Sequence, residues 1–192
     1  MRKLWRLLLA VGLIAALSLG AVACGDDDDD SASEEITLTG EDTTLALDET
    51  LAGLLARNDV TVEPIAPATA SDDGIMFPIT GGTINSESLV GTIEHSGGLR
   101  FSADGETVEV TDFVIDTSAD TLTATADGEQ LPLLGVNLGD IARSSDGDII
   151  LLEGITTTLV PEAAVVLNDA FGVVFFSEGV EVGDVTIRAT AS

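Results

Sequence analysis

Apolar and polar residues alternate with period two along most of the chain, which is the pattern of β-strands that bury one face. Val108 and Val110 share one parity and point toward the expected core. Phe113 and Ile115 continue the alternation on the opposite parity, so we expect a bulge or turn near Asp112. The pattern therefore predicts a mainly β protein with at least one irregular strand.

Asp-Gly pairs separate several of the alternating segments. Both residue types tolerate positive φ, which the tight turns of β-hairpins require. Each pair therefore predicts the tip of a hairpin, in preference to a metal-binding loop, because the ligand spacing of such a loop is absent. The four pairs begin at Asp73, Asp104, Asp127 and Asp146.

Two segments have helical spacing instead. Residues 48–57 begin with Asp48, which can cap a helix, and residues 161–171 begin with Pro161, which favours a first helical turn. The apolar residues at helical spacing are Leu51, Leu54 and Leu55 in the first segment, and Ala163, Val166, Leu167 and Ala170 in the second.

An alternating segment precedes and follows each predicted helix, which suggests that the two ends of the domain pack together. The fold class predicted is therefore mainly β: a single β-rich domain of antiparallel hairpins with two short α-helices.

The N-terminus predicts export. Basic residues precede a short apolar run, and Ala21-Val22-Ala23 leads into Cys24, the only cysteine. This arrangement resembles a bacterial lipoprotein signal, and it implies lipidation of Cys24 and an extracytoplasmic protein anchored to the cell membrane. Secretion by ordinary signal peptidase, with a free thiol, is the alternative. The predicted organisation is signal peptide 1–23, lipidated cysteine and acidic tether 24–35, and β domain 36–192.

Charge narrows the choice of partners. Once residues 1–23 are removed, 34 Asp and Glu stand against four Arg, a formal net charge of −30. Such a surface repels nucleic acid and anionic headgroups, and it favours cations. Solvation or adaptation to salt explains the charge without any specific cationic partner.

Candidate catalytic residues are few. The chain has one His and no Tyr, and no Lys follows the signal. No nucleophile elbow or phosphate loop is present, and one His cannot form a zinc cluster. We therefore expect a protein that is not an enzyme and holds no metal.

His95 is the one singular residue. Its parity matches that of Leu89 and Ile93, so it is expected on the inward face, just before a predicted turn at Ser96-Gly97-Gly98. Two interpretations remain open: a half-buried histidine whose nitrogens are bonded to the backbone, or a ligand-binding group in a pocket.

The segment around His95 also carries a resemblance. Its pattern, Gly91-x-Ile-x-His-Ser-Gly-Gly-Leu-x-Phe, is preceded by Phe77-Pro-Ile-Thr-Gly-Gly-Thr-Ile and followed by Val110-Thr-Asp-Phe-x-Ile-Asp. Further on come Val136-Asn-Leu-Gly-Asp and Thr158-Leu-Val-Pro-Glu-Ala-Ala. Over residues 74–189 this order resembles the HtaA-type domain of Gram-positive cell-surface proteins, some of which bind haem.

The resemblance implies a mostly β fold with two short helices. In haem-binding members a tyrosine near the domain start ligates the iron, supported by a histidine that His95 matches. This chain has no tyrosine. His95 is then the ligand that remains for the iron, and the haem hypothesis predicts a pocket lined by His95, Phe101 and other apolar side chains.

The leading functional hypothesis is a non-enzymatic, lipid-anchored envelope protein whose HtaA-like domain binds a ligand or an envelope protein partner. One alternative is haem binding through His95 in an iron or haem uptake system. The other is an acidic, cation-binding surface or adhesive protein.

Overall fold

The computed structural model describes residues 34–192, which contain twelve strands and two helices. The predicted signal peptide and Cys24 lie outside these residues. In chain order the elements are β1 (Glu35–Leu47), α1 (Glu49–Arg57), β2 (Thr61–Ile65), β3 (Thr69–Ser71), β4 (Gly74–Asn85), β5 (Gly91–His95), β6 (Gly98–Ala103), β7 (Glu106–Asp116), β8 (Thr121–Ala126), β9 (Glu129–Asn137), β10 (Ala142–Asp146), β11 (Ile149–Leu159), α2 (Pro161–Phe171) and β12 (Glu181–Ala191).

Eight strands form a closed antiparallel barrel. Around the ring they follow the order β7-β5-β4-β1-β12-β11-β9-β8, and pairing of β8 with β7 closes it. β6 and β2 extend from β7, while β3 and β10 pair with β4 and β11. The mainly β fold class with two short helices is therefore confirmed.

The two ends of the domain are neighbours, as the flanking pattern suggested. β1 pairs with β12 from Leu38 opposite Ala191 to Leu47 opposite Gly183. The first and last strands thereby complete the wall together, so the barrel needs both ends of this segment.

The strand β7 contains the irregularity predicted near Asp112. This residue has φ 52°, and the pairing of β7 with β8 shifts between Thr111 and Val114. On either side of the bulge, Val110 and Phe113 are both buried. The change of parity in the sequence therefore corresponds to a β-bulge. The bulge adds one residue to the strand, so residues of the opposite parity point inward after it.

The prediction of a turn at Ser96-Gly97-Gly98 is wrong. β5 and β6 both pair with β7, one after the other, so the chain continues in one direction past Gly97. The carbonyl of Gly97 accepts a hydrogen bond from the N–H of Asp112, at the bulge of the opposing strand. The glycines therefore accommodate a bend in two paired strands, and the reversal comes later, at Asp104-Gly105.

All four Asp-Gly pairs lie at hairpin ends. Asp104-Gly105 and Asp127-Gly128 are the two-residue tips of β6–β7 and β8–β9, with positive φ at both residues of each pair. In the β3–β4 and β10–β11 hairpins the pair overlaps the tip by one residue, since Ser71 pairs with Gly74 and Asp146 with Ile149.

Both helices begin where the sequence predicts. Asp48 caps α1, accepting hydrogen bonds from the backbone N–H groups of Thr50 and Leu51, and Pro161 starts α2. One predicted inward residue is on the wrong face, because Val166 is 43% exposed, whereas Leu167 is buried. No helix within residues 34–192 is long and apolar enough to cross a membrane.

Residues 34–192 lie in one compact unit, and its buried core is almost wholly aliphatic, with Phe77, Phe113 and Phe176 as the aromatic members. The backbone pairing described above lies entirely within this unit. We therefore expect a chain beginning at Ser33 to fold independently.

We predict that Gly183→Ala strongly destabilises the barrel. Gly183 lies between β1 and β11, and a methyl group there would overlap the carbonyl oxygen of Ala46. Such overpacking costs roughly 1–3 kcal/mol or more in free energy of unfolding, which urea denaturation would measure.

Gly40→Ala is the matched control, because a methyl group at Gly40 has nothing within 4 Å. It should change the free energy of unfolding by no more than about 0.5 kcal/mol. Equal effects of the two substitutions would contradict the close approach of β12 to β1.

Candidate functional site

The barrel contains an apolar cavity of about 90 Å³. Side chains from the barrel strands, from the β2 and β6 extension and from both helices line it, among them Leu45, Phe113 and Ile155. A barrel of eight strands is just wide enough for its side chains to fill the interior or for one small ligand to fit. The cavity is the residual space of such an interior.

Three polar side chains lie on the cavity wall: Thr43, His95 and Thr157. Each is buried, and each hydrogen-bonds within the protein. Thr157 donates to the carbonyl of Gly183 over 2.8 Å. Among residues 34–192 no buried side-chain polar atom lacks a partner, so the wall presents no unsatisfied group to a ligand.

His95 is held by both ring nitrogens. Nδ1 lies 3.0 Å from the carbonyl oxygen of Phe113, and Nε2 lies 2.7 Å from Oγ1 of Thr43. A carbonyl only accepts hydrogen bonds, so Nδ1 must donate to it. Nε2 of the neutral ring then accepts from the Thr43 hydroxyl, and this network fixes the tautomer.

Burial sets the charge of His95. Removing the ring from water penalises its charged form and lowers its pKa to about 4, although the hydrogen bond to Phe113 acts in the opposite direction. The imidazole is therefore neutral at physiological pH, and the cavity wall carries no net charge.

Aromatic side chains line the same cavity as this histidine. The rings of Phe77 and Phe113 meet edge to face, with centroids 5.0 Å apart, and Phe101 lies on the same wall. The structure therefore brings together His95 and Phe101, the two residues that the sequence predicted for a pocket, whereas Cys24 lies outside the described residues.

The wall as it stands does not fit haem. Both His95 nitrogens are bonded, and no Arg or Lys side chain lies among the lining residues to pair with a propionate. The cavity is also far smaller than the roughly 300–1,000 Å³ typical of pockets for drug-sized ligands. Within residues 34–192 no group of three or more His, Cys, Asp or Glu side chains is arranged to hold a metal ion.

Sequence analysis missed Thr43. Its parity matches Leu45 and Leu47 in β1, which is a signal that it faces inward. Nothing local indicates that its partner is His95, 52 residues further along the chain. That contact exists because β1 and β5 flank β4 on opposite sides.

A surface groove adjoins the cavity at α1. Its lining residues are Asp48, Thr50, Leu51, Leu54, Val180 and Glu181, and we call it the α1 groove. Leu51 and Val180 also line the cavity, so the two spaces share a wall. The α1 groove is therefore separated from the interior by these two side chains.

Comparison with known proteins gives a likeness in fold. No protein-family model matches the chain, and no curated protein matches it. A solved structure, the crystal structure of the C-terminal domain of HtaA from Corynebacterium glutamicum, superposes with a TM-score of 0.64 at 13% identity, covering 82% of this chain and 99% of that chain.

A second solved structure is that of the heme binding protein HtaB from Corynebacterium glutamicum. It covers 82% of this chain and 96% of its own, at 11% identity and a TM-score of 0.48. The likeness to the HtaA domain is at the level of fold, and it confirms the architecture that the sequence motifs implied. The described chain thus has the fold of the C-terminal domain of HtaA.

Proposed function

We propose that this chain is a non-enzymatic, lipid-anchored protein of the cell envelope that binds a small apolar ligand inside its barrel. The apolar cavity is the observation that carries the proposal. Release of apolar surface from water supplies the driving force, at roughly 25 cal/mol per Å² buried.

The envelope location is supported by the N-terminal sequence. Basic residues, a short apolar run and small residues before Cys24 together form an export signal. Two or more acyl chains on Cys24 would hold the protein stably at the membrane. The acidic residues that follow, Asp26 to Asp30, suit a solvated tether.

The wall supports a binding role over a catalytic one. His95 is its one titratable side chain, and the Thr43 hydroxyl and the Phe113 carbonyl occupy both nitrogens. General acid or base catalysis needs a group within hydrogen-bond reach of the substrate. The neutral ring of His95 is bonded to its own protein partners, so the wall can bind a ligand only by packing against it and matching its shape.

The size of the cavity limits the part of a ligand that can enter. A dry cavity of about 150 Å³, lined by Leu, Ile and Phe, binds benzene. The cavity here is about 90 Å³, so a group of ring size would fit after small adjustments of the wall. Leu51, Leu55 and Leu167 belong to the two helices, and movement of a helix would enlarge the space.

Haem is the second candidate ligand, because His95 and Phe101 line one cavity as the family resemblance implies. For iron to reach Nε2, Thr43 would have to release it and the interior would have to widen. Because the chain has no tyrosine, a different side chain would have to ligate the haem iron. The apolar ligand needs neither change, and it is therefore our preferred proposal.

We predict that toluene binds residues 33–192 saturably and shifts the NMR signals of residues on the cavity wall. Val136→Phe should abolish this binding, because Val136 is buried on the wall and a larger side chain would fill the space. Val174→Phe is the matched control, because Val174 is 94% exposed and should leave binding unchanged.

Thermal unfolding would show whether Val136→Phe folds. The signals that shift in the unsubstituted protein give an independent answer, because binding inside the barrel must perturb Phe113 and Ile155 and spare the exterior. Shifts confined to the surface, or no saturation, would overturn the apolar-ligand proposal.

For haem we expect a haemin titration of residues 33–192 to give no saturable one-to-one change in the Soret band, because neither nitrogen of His95 is free. His95→Ala should then behave like the unsubstituted protein. A one-to-one change that disappears in His95→Ala would instead establish haem as the ligand.

The buried network predicts an unusual titration of His95. As the only histidine, it should give a single imidazole C2–H signal by NMR. That signal should stay at its neutral position to about pH 5 and titrate near pH 4, because burial lowers the pKa of His95 to about 4. A midpoint near pH 6.5 would contradict the sealed geometry.

The same shift has a consequence for stability. Between pH 6.5 and about 4 the unfolded chain binds a proton at His95 that the folded chain does not. Folding stability contributed by this residue is therefore present above pH 6.5 and is lost as the pH falls, by about 3 kcal/mol in total.

A further inference from the structure

We propose that residues 172–180, which connect α2 to β12, are a gate that opens to admit a ligand to the cavity. Asn168 holds this α2–β12 connection closed, and Phe176 leaves the cavity wall when the connection opens. This inference rests on the proposed apolar-ligand function and adds to it the route by which the ligand enters.

The α2–β12 connection reaches the cavity on one side and solvent on the other. Phe176 is buried and lines the cavity, and Val180 lines it as well. Two residues before Phe176, Val174 is 94% exposed, and Ser177 directly after it is also exposed. No residue from 172 to 180 belongs to a helix or a strand. Displacement of this one segment would therefore open the cavity wall at Phe176 and leave the pairing of the barrel strands intact.

Backbone hydrogen bonds hold the two ends of the α2–β12 connection. At its start, the N–H of Val173 donates to the carbonyl of Asn168. At its end, the N–H of Gly179 donates to the carbonyl of Leu159, whose own N–H donates to the carbonyl of Val180. The ends can therefore stay attached to α2 and β11 while the middle moves.

The middle of the α2–β12 connection is held by a single side chain. Nδ2 of Asn168 donates to the carbonyl of Phe176 over 2.8 Å, and Oδ1 of Asn168 accepts from the N–H of Phe176 over 3.1 Å. Within residues 34–192, no other hydrogen bond joins residues 174–178 to a residue outside the connection. Loss of the Asn168 amide therefore frees the segment that carries Phe176.

A glycine lies near each end of the α2–β12 connection. Gly172 follows α2 with φ 63°, and Gly179 comes shortly before β12 with φ 77°. A methyl group at either position would meet nothing within 4 Å, so no neighbouring atom restrains the backbone there. Glycine adopts positive and negative φ about equally readily, and hinge motions depend on a few such residues at the ends of elements. The two glycines therefore suit the role of hinges.

Apolar packing favours the closed position. The rings of Phe175 and Phe176 lie with their centroids 4.2 Å apart, and Val173 and Phe175 pack against the core. Opening exposes this apolar surface to water, which is unfavourable. The open form is therefore a minor state, and a ligand that enters through it is enclosed when Phe176 returns.

Labelling of a thiol on the cavity wall measures opening without any ligand. Residues 33–192 contain no cysteine, so Val136→Cys introduces a single thiol, at a buried position that lines the cavity. We expect the small reagent methyl methanethiosulfonate to label it slowly. Asn168→Ala should raise the labelling rate about ten- to a hundred-fold, the range that follows from losing two hydrogen bonds of the closed form.

Asn85→Ala, also combined with Val136→Cys, is the matched control. The side chain of Asn85 likewise bonds the backbone of a connection, because it accepts from the N–H groups of Glu87 and Ser88 between β4 and β5. Of the described residues 85–90, none lines the cavity, so the labelling rate should stay unchanged. Equal acceleration by Asn85→Ala and Asn168→Ala would overturn the gate.

Low concentrations of urea separate opening of the gate from unfolding of the barrel. Opening a short segment exposes little surface, so the labelling rate of the Asn168→Ala protein should hardly change below its unfolding transition. Labelling that requires global unfolding would accelerate steeply with urea. Such a steep dependence would also overturn the gate.

Toluene then distinguishes the gate from the proposed function. Asn168→Ala should raise the association and dissociation rates of toluene, measured by NMR exchange, by the same factor and leave its Kd nearly unchanged, because the closed form loses the same two hydrogen bonds with and without ligand. Toluene exchange that Asn168→Ala does not alter would overturn the gate and leave the apolar-ligand function standing. Faster labelling in a protein that binds no toluene would support the gate and overturn that function.

Discussion

Pairing of β7 with β8 closes the sheet into a ring, and this closure determines which side chains can face the interior of the barrel. A closed barrel leaves none of its eight strands with a free edge, and its interior is removed from water. Each inward side chain must then be apolar or have a partner within the protein. Thr43, His95 and Thr157 meet the second condition, and the other lining residues meet the first.

Closure therefore explains why the single histidine of the chain is neutral and has both ring nitrogens occupied by protein partners. In an open sheet, water could bond either nitrogen of His95, and the ring would titrate near its ordinary pKa. Within the ring of strands, the Phe113 carbonyl and the Thr43 hydroxyl take the place of water and select one neutral tautomer.

Features governed by local energetics could be predicted from the sequence. Asp104-Gly105 forms a hairpin tip because both residues adopt positive φ there, and Asp48 caps α1 because its side chain reaches two free N–H groups. The bulge at Asp112 could be predicted because the apolar residues change from even to odd positions on either side of it.

Features governed by distant pairing could not be predicted. Ser96-Gly97-Gly98 has the composition of a turn, but β7 pairs with the segments on both sides and keeps the chain extended. Likewise, the parity of His95 indicates an inward position and does not identify Thr43 as its partner. Helical spacing alone also placed Val166 inward, although the barrel contacts α2 along a narrower stripe that includes Leu167.

The direction of β1 has a consequence for the way the domain can be presented. This strand enters at Glu35 and ends at Leu47, directly before α1, so the entry of the chain and the α1 groove lie at opposite ends of a strand that spans at most about 40 Å. β12 returns antiparallel to it, from Glu181 in the groove to Ser192, whose N–H donates to the carbonyl of Thr37. Both termini of the described domain thus emerge at the pole remote from the groove. A surface-bound or fused copy attached at either terminus would keep the groove at its distal face, accessible to molecules arriving from solution.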